Sequence, residues 1–192
     1  MARPREFDET AAVESAMHAF WTHGYEATST QDLCDATGLG RSSVYNTFTS
    51  KKTLFQRSLT HYTDSELTRR RAILEGAGTG AERITTVVGT AIDADLEHHR
   101  GCLVVNTLAE LGVPDDEVGA ALRRDTEQNL AMFAACVREG VRDGSLRPGL
   151  VPADVAEFLL STISGLRVMS RRGTSREAMQ AVADLALSAL VA

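Results

Sequence analysis

Residues 28–55, TSTQDLCDATGLGRSSVYNTFTSKKTLF, confine this part of the chain to short helices with a tight turn between the first two. Thr28 or Ser29 can cap the first, with Gln31 or Asp32 three residues on to close a capping box. Leu33 and Ala36 then face inward. Gly38 suits the left-handed residue that ends a helix, and Leu39 can tuck back as its apolar partner. A second helix runs over 41–48, with Val44 and Phe48 at i and i+4 on one apolar edge. Two short helices around a glycine-containing turn make a helix-turn-helix. The second helix is oddly composed. Where a solvent-facing helix carries Glu and Lys, it has Ser42, Ser43, Asn46 and Thr47, whose short polar groups compete for the backbone.

Apolar residues recur at helical spacing along the rest of the chain. Over 8–23 they are Val13, Ala16, Met17 and Phe20, with Gly24 as the stop. Leu54, Phe55, Leu59 and Tyr62 begin a long helix reaching Leu74, and EGAGTG at 75–80 is a loop. Ile84, Val87, Val88, Ala91, Ile92 and Leu96 mark another helix, which Gly101 breaks. CLVVNTLAEL is a short helix, and Asp115 starts a long one through Leu122, Leu130, Phe133 and Val137 to near Gly144. The last two helices span 153–172 and 175–191. Strand signals are weak: the best apolar runs, ITTVV and GCLVV, sit within helical patterns. The expected fold is all-α, with about nine helices.

In FLLSTISGLRVM, 158–169, apolar residues wrap most of the helix. Leu159, Ile163 and Leu166 share one face, and Ser161, Gly165 and Val168 lie on another. A helix apolar nearly all round is buried on both sides. The second side meets either more of the same core or a partner. Ser161 and Gly165 would admit a close second helix, so with Val168, Val182 and Ala186 they are candidates for a dimer interface.

No uncharged apolar run approaches the ~18 residues of a membrane span, and MARPREFDET is too charged for a secretory signal. Cys34, Cys102 and Cys136 are an odd, unclustered set that fits a reducing cytoplasm better than a disulfide framework. A net charge of −6 gives bulk support to no polyanion partner. Its distribution says more. From Ala36 to Tyr62 there is no Asp or Glu, while Arg41, Lys51, Lys52 and Arg57 fall inside. A second acid-free run, 158–176, carries Arg167, Arg171, Arg172 and Arg176. A local positive face can bind DNA on an acidic protein, although the second run shows that packing or chance can produce such a stretch.

Lys51 and Lys52 are the only lysines, and both follow the cap candidate Ser50 at a helix start. That end of a helix is already positive, so cations there are unfavourable. An anion resolves the conflict: free backbone N–H groups, the helix dipole and two ammonium groups make a phosphate-binding corner. The helix over 41–48 then reads as a recognition helix, presenting short hydrogen-bonding groups and one Arg to base edges and phosphates. Arg41 reaches guanine, Ser42 and Ser43 approach bases or phosphates, and Tyr45 and Asn46 reach the backbone. Gln31 can pair with a base or the backbone. Arg3 and Arg5 form a loose arm over the adjacent groove, or simply a disordered start.

GYEATSTQDLCDATGLGRSSVYNTFTSKKTLF resembles the DNA-binding domain of TetR/AcrR-family transcriptional regulators. The resemblance is carried by Phe20, Gly24-Tyr25, Thr28, Leu33, Gly38-Leu39, Val44-Tyr45, Phe48, Ser50-Lys51 and Leu54-Phe55. It implies a homodimeric repressor joined by its last two helices, binding a palindromic double-stranded operator and released by a ligand. It divides the chain into a DNA-binding domain, 1–50, and an effector-binding and dimerisation domain, 51–192. Transferred by position, Ser29, Tyr45 and Lys51 contact phosphate, and Gln31, Arg41, Ser42 and Asn46 lie at base-facing or groove-wall positions; Ser43 and Thr47 are further DNA-binding candidates. RGCLVVNTLAEL with GLRVMSRRG is similar to a subgroup of electrophile- and oxidant-responsive, NemR-like repressors, which implies a sensor role for Cys102.

A cysteine opening a helix has its thiolate stabilised by the dipole, and His98, His99 or Arg100 can add to this. The other reading is a buried, inert Cys102 and thiol-independent ligand sensing. Cys34 and Cys136 read as structural. Asn106, Glu110, Met132, Phe133 and Cys136 are candidate pocket residues, polar or soft groups in apolar surroundings. His98 and Cys102 are four apart, but Gly101 intervenes and no third metal ligand accompanies them. No nucleophile elbow, phosphate loop or metal signature points to an enzyme, and neither metal nor cofactor is expected.

Overall fold

The computed structural model describes residues 7–93, 99–113 and 116–191. Among them are nine helices and no strand: α1 (Glu9–His23), α2 (Thr30–Thr37), α3 (Arg41–Phe48), α4 (Lys51–Leu74), α5 (Gly80–Asp93), α6 (Leu103–Leu111), α7 (Glu117–Asp143), α8 (Pro152–Arg171) and α9 (Arg176–Ser188). Arg3, Arg5, Leu96, His98 and Asp115 lie outside the described residues. No helix is long and apolar enough to cross a membrane among the described residues.

Two apolar cores organise the chain. The first gathers Phe20 of α1, Leu33 of α2, Val44 and Phe48 of α3, and Leu54, Phe55 and Leu59 of α4. Burying a Phe or Leu side chain contributes about 1.5–3 kcal/mol, enough to hold short helices that would be marginal alone in water. The second core joins α5, α7, α8 and α9 through Ile84, Val88, Phe133, Val137, Leu159, Leu166, Met179 and Ala183. The α4 helix reaches both, since Leu74 lies in the second core. Where α5 crosses α7, a Cβ on Gly80 would stand 2.4 Å from the Gly140 Cα. Only glycine allows that approach. Gly80 opens α5 instead of ending the preceding loop as expected, because Thr79 and Glu82 cap the helix there: Glu82 N donates to Thr79 Oγ1 at 3.3 Å and Thr79 N to Glu82 Oε2 at 2.8 Å.

The helix ends follow local chemistry. Asp8 caps α1 from outside rather than beginning it, accepting from Thr10 N at 2.9 Å. Ser29 caps α2 and Asp32 closes the box: Asp32 N donates to Ser29 Oγ at 3.1 Å, and Ser29 N to Asp32 Oδ2 at 2.7 Å. Thr28 is not the cap; it is fully buried and donates to Gly24 O at 2.5 Å. Gly38 ends α2 at φ 68°. Ala36, expected inward, is exposed, because the inward face of α2 runs through Leu33 and the half-buried Cys34 and Thr37. Asp116 caps α7, which begins at Glu117.

Candidate nucleic-acid interface and effector cavity

Val44 and Phe48 are buried and fasten α3 to the first core. Their burial turns Arg41, Ser42, Ser43, Tyr45 and Asn46 outward, all exposed, while Thr47 is half-buried at the edge of that face. Thr49, at φ 65°, turns the chain so that Ser50 caps α4 immediately, accepting from Thr53 N at 3.1 Å. The Tyr45 hydroxyl meets Thr30 Oγ1 at 3.1 Å, tying α3 to the start of α2. That bond first, then the nearby Arg41, holds the phenol pKa below its ordinary value. The Arg41 guanidinium lies 5.9 Å from the Tyr45 ring centroid. Ser29 Oγ accepts in the α2 cap and keeps its own hydrogen to donate. Gln31 Nε2 donates to Asp35 Oδ1 at 2.8 Å.

The two lysines part company. Lys51 Nζ donates to Glu26 O at 3.2 Å and lies 4.6 Å from the Tyr25 ring centroid, in the turn before α2. Lys52 Nζ instead pairs with Asp116 Oδ2 at 2.9 Å, joining α4 to the α7 cap. The expected corner of two ammonium groups is therefore corrected to one, because Lys52 has a carboxylate from a distant helix.

The second acid-free run is also partly spent on carboxylates. Arg167 is only 4% exposed and lies 3.7 Å from Glu66 Oε2, and Arg176 pairs with Asp93 at 2.9 Å. Arg171 and Arg172 stay exposed.

A small, partly open cavity of about 50 Å³ lies between α4, α6, α7 and α8. Its wall mixes Val104, Val105, Leu160 and Ile163 with Tyr62, Glu66, Arg70, Cys102, Asp125, Asn129, Ser164 and Arg167. Burial raises the Asp125 carboxyl above the usual range against the pull of Arg70. Burial likewise lowers Arg70, opposed by Glu66 and Asp125. Arg70 is hydrogen-bonded to Asn129 Oδ1, whose Nδ2 donates to Asp125 O at 2.7 Å. Tyr62 is pushed well above its ordinary pKa by burial, then by Cys102, whose sulfur its hydroxyl meets, and by Glu66. A larger trough of about 640 Å³ along α1 and α4 is open to solvent and lined by Glu9, Arg57, His61 and Asp64. The smaller cavity has the convergent polar groups of a ligand site, at a volume well short of the roughly 300–1,000 Å³ that such sites occupy.

Cys102 is the one sequence-derived candidate on that wall. It is half-buried at the N-cap of α6. Asn106 donates instead to Arg100 O at 2.9 Å. Glu110 points to the other domain, taking hydrogen bonds from Tyr25 N and Glu26 N. Phe133 and Cys136 are buried in the second core and Met132 packs against it. The Cys136 thiol donates to Gly80 O at 3.6 Å, and burial raises its pKa. These residues are not brought to the cavity. The polar wall residues were missed because Glu66 with Arg70, and Asp125 with Asn129, read as ordinary i,i+4 surface pairs. Only Arg167, a charge inside an apolar helix, was a visible signal.

Cys34 packs against the first core. Among the described residues no cluster of three His, Cys, Asp or Glu is placed to hold a metal.

Residues 12–57 match the family model for bacterial regulatory proteins of the tetR family, and 80–186 match the tetracyclin repressor-like C-terminal domain. The chain belongs to the TetR family. It is 31% identical over 191 residues to the HTH-type transcriptional repressor ComR of Escherichia coli K12, covering 96% of this chain and 90% of ComR. A solved complex of a cysteine mutant of the TetR-family regulator CifR with 26-base-pair operator DNA superposes with a TM-score of 0.86. The identity is 32%, over 98% of this chain and 100% of that one. Reduced NemR of E. coli shares the fold at TM-score 0.83, with 17% identity over 95% of this chain and 96% of its own. As a TetR-family member the protein is a DNA-binding transcriptional regulator, and α2–α3 is its helix-turn-helix.

Proposed function

We propose that the protein is a cytoplasmic homodimeric repressor whose α3 enters the major groove of a palindromic operator and leaves it when an effector occupies the cavity beside Cys102. The observation that carries the reading is the outward face of α3, held rigid by Val44 and Phe48. Arg41, Ser42 and Asn46 are assigned to base edges or the groove wall, with Ser43, Gln31 and Thr47 beside them. Ser29, Tyr45 and Lys51 are assigned to phosphates. The likeness to the operator-bound CifR mutant supports the same mode. We divide the chain at 50/51, with α4 continuing both cores.

The exposed apolar face of α8 and α9 supports dimerisation. Ser161, Gly165, Val168 and Val182 are all exposed, Ala186 is half-buried, and Phe158 and Leu185 extend the patch. Apolar surface of this kind marks an interface.

The effector step has two versions. In the first, Cys102 is modified by an electrophile or oxidant. Its place on the cavity wall against Tyr62 supports this. In the second, a ligand is held by Arg70, Asp125, Asn129 and Arg167 without thiol chemistry. Fluorescence anisotropy with DNA flanking the protein's own gene tests the operator reading; no binding at low salt in excess of that to random DNA overturns it. An oxidant and electrophile panel read by operator release, run with Cys102→Ser, separates the versions. A response unchanged in the mutant removes the thiol version.

A further inference from the structure

Glu110 sits in the last turn of α6, where a carboxylate opposes the helix dipole. The structure pairs it with two backbone donors far away in sequence. Tyr25 N donates to Oε2 at 2.9 Å and Glu26 N to Oε1 at 2.8 Å. Successive N–H groups in a turn form an anion site. Gly24 makes room for it: its φ is 86°, and a Cβ there would stand 2.9 Å from Glu110 Oε2.

The same two residues carry Lys51 from their other side. Lys51 Nζ donates to Glu26 O at 3.2 Å over the Tyr25 ring, which packs 4.8 Å from Phe55. The turn is thus held at its N–H groups by the effector domain and at its carbonyl by the lysine assigned to phosphate. At the other end of α6, Arg100 lies 4.3 Å from the Trp21 ring centroid and 3.1 Å from His18 Nδ1. A short α6 therefore runs from Cys102 on the cavity wall to a two-bond grip on the DNA-binding unit.

We propose that Glu110 is the positioning residue through which α6 sets Lys51 for the operator phosphate, by filling the anion site of the 24–26 turn. This rests on the operator reading above. Charge-assisted bonds of this kind are directional, so a shift of α6 that lifts the carboxylate from either N–H releases the turn and the lysine on it.

The test compares wild type, Glu110→Gln, Glu110→Ala, Lys51→Ala and the Glu110→Ala/Lys51→Ala double variant on operator and random DNA. Loss of Glu110 is expected to weaken operator binding about tenfold, as charged hydrogen bonds warrant. The Lys51→Ala loss should shrink in the Glu110→Ala background, since neighbours in one network are not additive. Independent addition of the two losses overturns the proposal, because a merely structural role predicts it.

Amide resonances give a second readout that needs no variant to fold. In wild type the Tyr25 and Glu26 amide protons should be downfield and slow to exchange; fast exchange at both overturns the grip. If wild type binds no operator, the functional reading fails by itself. The positioning role is then judged on Glu110→Gln: joint shifts at Tyr25, Glu26 and Lys51 support it, and an unmoved Lys51 overturns it.

Discussion

The α3 helix and the α8–α9 pair each show solvent a face that a lone helix in water would not select, for opposite reasons. On α3 the oddity is weak helix propensity: hydroxyls and an amide replace Glu and Lys, with little apolar exposure. On α8 and α9 the oddity is oil in water: Val168 is 51% exposed and Leu185 is 75% exposed. Short polar groups on a rigid helix serve hydrogen bonding to something else, whereas a dry apolar face serves another dry face. The two acid-free runs do not repeat the contrast: each has two cations paired to carboxylates, Lys52 and Arg57 with Asp116 and Glu9, and Arg167 and Arg176 with Glu66 and Asp93. Only Arg167 among these cations is buried.

The largest expected effect strikes the apolar face. Val182→Glu with Leu185→Glu should yield a folded monomer in sedimentation velocity. Operator affinity should then fall about a hundredfold or more, because two linked half-site contacts become one. A dimer that survives would break the comparison. Gly80→Ala is the control for general damage. Overpacking against Gly140 should cost about 1–3 kcal/mol in urea unfolding, with the dimer and operator specificity retained wherever the protein is folded.

Arg41→Ala should remove about 1–3 kcal/mol of discrimination between operator and point-mutated operator. Equal discrimination in the variant would take Arg41 off the bases. Lys51→Ala should weaken specific and random DNA alike and lower the slope of log affinity against log salt by about one; a specificity change instead would move Lys51 from phosphate to base. The smallest effect sharpens the propensity argument. Asn46→Ala should stabilise the folded state by about 0.5 kcal/mol and yet weaken operator binding. If it costs stability, Asn46 has an internal role that the exposed face denies.

Elements whose causes lie within a few residues were legible in the sequence. A capping box at the start of α2, the Gly38 stop, the Ser50 cap, and the burial of Val44 and Phe48 follow from spacing, and so does the outward set on α3; the choice of Ser29–Asp32 over Thr28–Gln31 came from the burial of Thr28. The split of α8 into a buried edge at Leu159, Ile163 and Leu166 and an exposed one at Ser161, Gly165 and Val168 follows likewise. Contacts across the chain were not legible. Glu110 reads as a pocket residue until its 85-residue partner at Tyr25 is seen. Lys52 reads as Lys51's twin until Asp116 takes it. Phe133 and Cys136 share a helix with the cavity residues Asp125 and Asn129, and only the packing of α7 sends one pair to the core and the other to the cavity wall.

By itself, then, the sequence determined an all-helical chain, its helix-turn-helix and the side chains that α3 turns outward, because backbone capping and helical periodicity are local. Tertiary structure alone decided which charges are spent inside, where the cavity opens and how α6 grips the 24–26 turn. Those depend on which distant groups meet, and the strength of a carboxylate–amide or ammonium–carboxylate pair is set by a separation that no sequence spacing encodes.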